Sequence, residues 1–138
     1  MVHVWAPRTP RGRLRWRRAC ADAAEVSSPE LVAELRRRGT VLELCATSDL
    51  RTGVVDDLSR HPVRKLAAVG VPVVIGVDDP LLFGSTVLGE YRTALTCLGF
   101  SREDLLAAAR TSLSSSLLAQ QTRDRLLAAR DDYVLRRG

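Results

Sequence analysis

Two short, unbroken apolar runs organise this chain, and the remaining apolar positions recur at helical spacing. Thr40-Val41-Leu42-Glu43-Leu44-Cys45 and Val73-Val74-Ile75-Gly76-Val77 have the length and β-branched content of buried strands. Between them, His61-Pro62-Val63-Arg64-Lys65-Leu66 leads to Gly70, which spells strand, helix, strand with few connecting residues. Upstream, Ser27-Ser28-Pro29-Glu30 combines a capping Ser, a first-turn Pro and a first-turn acid, and Leu31, Val32 and Leu35 form one apolar face before Gly39 stops the helix. Downstream, Leu81-Leu82-Phe83-Gly84 leads into a helix headed by Ser85, with Leu88, Tyr91, Leu95 and Leu98 as its predicted buried stripe. Ser101-Arg102-Glu103-Asp104 caps a further helix ahead of Leu105 and Leu106. The stretch from Gln120 to Arg137, with Leu126 and Leu127 amid alternating charges, reads as a solvated outer helix.

Where the two predicted strands end, the chemistry changes. The second delivers Asp78 and Asp79 onto a turn stopped by Pro80, and the first runs into Thr47, Ser48 and Asp49. Parallel strands buried on both faces read as continuous Val/Ile/Leu runs, and in a (β/α)8 barrel the reactive groups stand at their C-terminal ends. The expected fold class is therefore α/β, part of an incomplete (β/α)8 TIM barrel followed by C-terminal helices. An ordinary turn explains Asp-Asp-Pro equally well in isolation, since Asp bonds its own backbone and Pro fixes φ. Thr47, Ser48 and Asp49 are expected on the same side as the carboxylates, as pocket lining or as plain loop residues. Gly84 reads as a loop glycine before a helix.

At 138 residues one domain is expected, while a complete barrel takes about 250 residues. A two-stranded piece leaves unpaired edges, which predicts marginal stability and association. Residues 1–26 read as an Arg-rich segment apart from the fold of 27–138. No acid occurs from Met1 to Ala21, while Arg8, Arg11, Arg13, Arg15, Arg17 and Arg18 crowd it. A net charge of +5 with a sequence pI of about 9.8 suits phosphate contact. Yet Trp5 and Trp16 come with no DNA- or RNA-binding pattern, so nucleic acid is not the expected partner. Cys20, Cys45 and Cys97 are an odd count without a Cys-x-x-Cys pair, which favours reduced thiols and a cytoplasmic setting over a disulfide framework. Cys45 is expected to pack inside and Cys97 to lie in a helix. No apolar run of membrane-spanning length and no secretory h-region is present in the sequence.

The ordered motifs Leu44-Cys45-Ala46-Thr47-Ser48-Asp49, Arg51-Thr52-Gly53-Val54-Val55, His61-Pro62, Val77-Asp78-Asp79-Pro80, Phe83-Gly84, Glu90-Tyr91 and Leu98-Gly99-Phe100-Ser101, with Ser112 and Ser116, resemble the adenosine and adenine deaminases, zinc hydrolases of the amidohydrolase superfamily. The resemblance covers residues from about Pro29 to about Ala129, implies that these are the C-terminal part of the (β/α)8 TIM barrel, and implies a purine nucleoside or base as substrate. It implies zinc as cofactor, activating the water that displaces ammonia from the purine. Asp78 matches the family's metal-ligating carboxylate and Asp79 the carboxylate that orients the purine ring. Adjacent residues leaving a strand point to different sides, so the two can serve metal and base separately.

The chain departs from the family where Cys-Pro-x-Ser-Asn becomes Cys45-Ala46-Thr47-Ser48-Asp49 and where an Asn becomes Gly76. The His-x-His ligand pair, the proton-shuttling Glu of His-x-x-Glu and the orienting His of Gly-His-Gly are not found, so no catalytic acid or base is assigned and Asp78 stands as one zinc ligand among missing partners. His61 resembles a surface His-Pro and reads as structural; His3 is followed three residues on by Ala6 where the shuttle would need Glu. The His-x-Glu and Pro-Cys-x-x-Cys set of cytidine-type deaminases is absent from the sequence as well. One Lys against twenty Arg is the bias of a GC-rich coding sequence, and the segment upstream of about Val26 is expected to be out of frame with an ancestral deaminase gene; translation of the other two frames tests this. Three readings stand: a C-terminal deaminase part that needs its missing half, a noncatalytic remnant that associates through its exposed barrel edge, and an Arg-rich nucleic-acid binder.

Overall fold

A computed structural model describes residues 3–5, 17–18 and 28–137, with strands 3–5 and 17–18 described as backbone only. The strands are β1 (His3–Trp5), β2 (Arg17–Arg18), β3 (Val41–Leu44) and β4 (Val73–Ile75); the helices are α1 (Pro29–Arg37), α2 (Ala46–Arg51), α3 (Val63–Ala68), α4 (Pro80–Phe83), α5 (Val87–Cys97), α6 (Arg102–Ser115) and α7 (Gln120–Arg137). The sheet order is β2-β1-β3-β4. β3 and β4 pair in parallel with Leu42 opposite Val73, Glu43 opposite Val74 and Leu44 opposite Ile75. β1 lies antiparallel on the other side of β3, so one of the two edges expected to be open is covered. Cys20, Trp16 and Arg8 to Arg15 fall outside the described residues.

The β3-α3-β4 unit is the predicted strand, helix, strand. Alternation sends Leu42, Leu44, Val73 and Ile75 into one apolar core with Val63 and Leu66 of α3, Ala94 and Leu98 at the end of α5, Phe100, and Ala108 of α6. Burying a side chain of Leu, Val or Phe size contributes about 1.5–3 kcal/mol, so this cluster is the main source of stability. Ser28 caps α1 through its hydroxyl, and Val32 and Leu35 pack on the core while Leu31 stays 38% exposed. At α6 the predicted cap is a full capping box: Ser101 Oγ accepts from the Asp104 N–H and Asp104 Oδ2 from the Ser101 N–H.

The stripe predicted for α5 is corrected. Thr86 rather than Ser85 caps this helix, and Leu88 and Leu95 are 63% and 49% exposed. Glu90, Ala94 and Leu98, at successive four-residue steps, face inward instead, with Tyr91 beside them. Small Ala94 lets α5 approach closely, and that approach, not the larger residues, decides which side is buried.

Candidate functional site

The site is built where β3 and β4 end. The ladder continues one step past β4, with the Gly76 N–H donating to the Leu44 carbonyl at 2.9 Å. β3 passes without a connecting loop into α2, so Thr47, Ser48 and Asp49 are helical rather than the tail of a strand. This places Ser48, which is buried, against the carboxylate turn: its Oγ donates to Asp78 Oδ2 at 2.8 Å. Asp78 is thereby oriented by a side chain from the neighbouring strand end. Asp79 is the N-cap of α4, its Oδ1 accepting from the Leu81 and Leu82 N–H groups at 3.0 and 2.9 Å. The turn role open to Asp79 from sequence is realised, and it fixes the carboxylate at the same time. Gly84 ends α4 with φ of 60°, the left-handed conformation that a loop glycine supplies.

Asp49 does not line this pocket. It is fully buried and lies 3.2 Å from His61 Nε2. His61 is correspondingly no surface residue and precedes α3 instead of lying in it. The Val63 N–H donates to His61 Nδ1, which in the neutral ring leaves Nε2 as the N–H that donates to Asp49. Both ring nitrogens are spent on holding α2 to the start of α3, consistent with the structural role read from sequence.

Two acids carry more of the site than their sequence neighbourhood suggests. Glu90 of α5 is 1% exposed; its Oε2 accepts from the Thr47 N–H at 3.2 Å, in the first turn of α2, while its Oε1 is buried with no hydrogen-bond partner among the described residues. Its helical spacing from Ala94 and Leu98 was the available signal. Glu43 of β3 lies over Gly76: a Cβ built on that glycine would sit 2.2 Å from Glu43 Oε1. The carboxylate of one strand thus fills the volume where a side chain on the next would be.

Cys45, buried between these groups, is pushed up to about 12 by burial first and then by the negative charges of Glu43, Asp49, Asp78 and Glu90. It is therefore a protonated, inert thiol at neutral pH. Cys97 is exposed on α5.

A zinc ion does not fit the described residues on their own. Among them no group of three or more His, Cys, Asp or Glu converges on a point that would hold a metal; Asp78 offers a carboxylate, and His61 is engaged on both nitrogens. A cleft of about 650 Å³ lined by Gly39, Val41, Pro72, Arg110 and Arg123 opens at the other, N-terminal ends of β3 and β4, away from the carboxylate turn. No helix among the described residues is long and apolar enough to cross a membrane.

Comparison with known proteins converges on one group. The family described as "Adenosine deaminase" matches residues 17–133. The adenine deaminase of Rhizobium rhizogenes is 40% identical over 103 residues, 75% of this chain and 32% of that protein. The aminodeoxyfutalosine deaminase of Acidothermus cellulolyticus is 46% identical over 81 residues, 59% of this chain and 22% of that protein. A crystal structure of an amidohydrolase from Burkhoderia ambifaria, with bound Zn, superposes with a TM-score of 0.68 at 27% identity, covering 78% of this chain and 30% of that one. The chain spans about a third or less of the length of these proteins. With its β3-α3-β4 unit, its carboxylate turn and a family match over most of its length, this chain belongs to the adenosine deaminase family, of which it represents part of the C-terminal region.

Proposed function

We propose that residues 27–138 are the carboxylate-bearing C-terminal part of a zinc-dependent purine deaminase barrel, that Asp78 faces the metal, and that Asp79 orients the aminopurine. The observation that carries this reading is the convergence of Ser48 and Asp78 at the C-terminal ends of two parallel strands. Asp79 suits its part because two backbone N–H groups fix its Oδ1, and a ring is oriented only by a carboxylate that is itself held still. The imidazole ligands, the shuttle Glu and the orienting His come, in this reading, from a segment outside the residues described. The substrate is adenine, adenosine or a related aminopurine, as in the relatives, and the cytoplasm, with reduced thiols, is its setting.

On its own the chain turns nothing over in this reading, since one carboxylate supplies neither the metal site nor the proton transfer. Incubation of the full chain with zinc and adenosine should release no ammonia above background; metal-dependent release would overturn the inactive reading. The site assignment is tested in a chimera in which residues 28–138 replace the matched region of the Rhizobium rhizogenes adenine deaminase. Asp78→Asn should lower its adenine turnover by about a thousandfold, the scale of removing one electrostatic contact to the reacting centre. Retention of activity within tenfold would refute the role of Asp78. The noncatalytic reading gains if the chimera folds but never deaminates.

A further inference from the structure

We propose that Glu90 of α5 is a positioning residue for the Asp78 carboxylate, acting through Thr47 and Ser48 in the first turn of α2. The inference adds a residue to the site, and its kinetic consequence rests on the deaminase reading above. α2 has six residues and follows β3 directly, with Cys45 supplying no side-chain cap. Its first intrahelical bond runs from the Asp49 N–H to the Cys45 carbonyl, so the N–H groups ahead of Asp49 need partners from outside the helix. For Thr47 that partner is Glu90 Oε2, 43 residues further along the chain. The next residue, Ser48, donates its hydroxyl to Asp78 Oδ2. A Ser oxygen stands one staggered rotamer from its backbone, so the orientation of Asp78 inherits whatever fixes this turn. Thr47, Ser48 and Asp49 thus tie α2 in succession to α5, to the carboxylate turn and, through His61, to the start of α3.

Two observations separate placement from plain stability as the work of Glu90. The side chain is 1% exposed, yet it makes a single hydrogen bond, and its Oε1 is buried without a partner among the described residues. Burying a carboxylate is costly, and one backbone N–H returns little of that cost. An apolar residue of similar volume, on the side of α5 that Glu90 shares with Ala94 and Leu98, would pack without it. Such a residue could not accept from the Thr47 N–H. A carboxylate suits that task well, because the start of a helix favours negative charge.

The test compares Glu90→Gln, which keeps the volume and an acceptor but loses the charge, with Glu90→Met, which keeps the volume and loses the acceptor. In the full 138-residue chain the carbon-13 resonance of Asp78 Cγ reports its hydrogen bond from Ser48, and Ser48→Ala marks where that resonance lies once the bond is lost. Glu90→Met should move it most of the way to that mark, and Glu90→Gln should leave it in place. In the Rhizobium rhizogenes chimera, Glu90→Met should lower kcat roughly ten- to a hundredfold with KM unchanged, the scale of misplacing a group at a reacting centre. Glu90→Gln should keep kcat near the parent value, and Glu90→Met should cost nothing further once Ser48→Ala is present. An Asp78 resonance indifferent to Glu90→Met, equal effects of the Gln and Met variants, or losses that add to those of Ser48→Ala would each overturn the proposal. A Met variant that unfolds where the Gln variant folds would overturn it too, by giving Glu90 a role in stability alone. The two readings fail separately: an unmoved resonance removes Glu90 and leaves the Asp78→Asn result standing, whereas an Asp78→Asn chimera that stays active, or a parent chimera without activity, leaves the resonance to decide for Glu90.

Discussion

Replacing Gly76 by Ala probes the carboxylate that lies over the strand end. The glycine does not have a positive φ, so its backbone accepts an L-residue and the cost is one of space. The new Cβ would meet Glu43 Oε1 at 2.2 Å, Cδ at 2.9 Å and Cγ at 3.0 Å. The terminal oxygen alone could swing aside, but contact as far back as Cγ forces the whole half-buried side chain to turn. Overpacking of this kind costs about 1–3 kcal/mol, against a gain of about 0.4–1 kcal/mol from stiffening the unfolded chain. Gly76→Ala should therefore destabilise by about 1.5 kcal/mol, or roughly 4–6 °C in Tm. With Glu43→Ala already present the obstacle is gone, and the same substitution should stabilise by about 0.5 kcal/mol. Urea unfolding of the four proteins of this cycle, followed by circular dichroism, should give a coupling energy of about 2 kcal/mol. Equal effects of Gly76→Ala in both backgrounds, within about 0.5 kcal/mol, would refute the argument that Glu43 occupies the space over Gly76.

Four further outcomes follow from groups already placed. Glu90→Ala should cost about 3 kcal/mol by leaving a cavity and an unmet Thr47 N–H, whereas Glu90→Gln, which keeps the shape and an acceptor, should cost less than about 1 kcal/mol; equal losses in urea unfolding would rule out the contact to Thr47 as the cause. His61→Ala strips one partner from buried Asp49 and the acceptor from the Val63 N–H, and should destabilise by on the order of 3 kcal/mol; a loss below about 0.5 kcal/mol would contradict this. At pH 8, iodoacetamide followed by peptide mapping should modify Cys97 and spare Cys45 in the folded protein. Because the folded thiol of Cys45 titrates at about 12 against an ordinary 9.0, between those values the unfolded chain binds fewer protons than the folded one. The Cys45 contribution is thus complete below pH 9 and is lost as pH climbs toward 12; a Cys45→Ala variant should show a flatter decline in alkali, and an identical one would count against the assignment.

Much of the scaffold was legible because its signals are local. Ser28 with Leu31, and Ser101 with Asp104, mark helix starts through atoms three residues apart, and the parallel strands announce themselves by unbroken apolar runs. α2 gives no such signal: Cys45 provides no side-chain cap, and its first turn is met by Glu90, a residue on a helix far along the chain. The orientation of α5 is hidden for a related reason, since Leu88 and Leu95 advertise an apolar stripe as strongly as the buried side does, and the neighbouring α2, β4 and α6 decide between them. At the site, Asp78 and Asp79 were visible from their place after a strand. The pairing of Ser48 with Asp78, of Asp49 with His61, and of Glu43 with Gly76 arises from strand register and helix packing, which a linear pattern does not encode.

The parallel ladder of β3 and β4 also sets an order of assembly. Its two strands are separated in the chain by little more than α2, α3 and their loops, so the loop-closure cost of pairing them is modest. Of the residues that cover the apolar face of that ladder, Val63 and Leu66 of α3 are made between its two strands, whereas Ala94, Leu98, Phe100 and Ala108 are made afterwards. At a synthesis rate of about 5–20 residues per second, Leu42, Leu44, Val73 and Ile75 have a few seconds on the ribosome with α1 and α3 made but the cover from α5 and α6 still to come. That interval, rather than the finished protein, is when a chaperone that binds exposed apolar strands has most to gain from this chain.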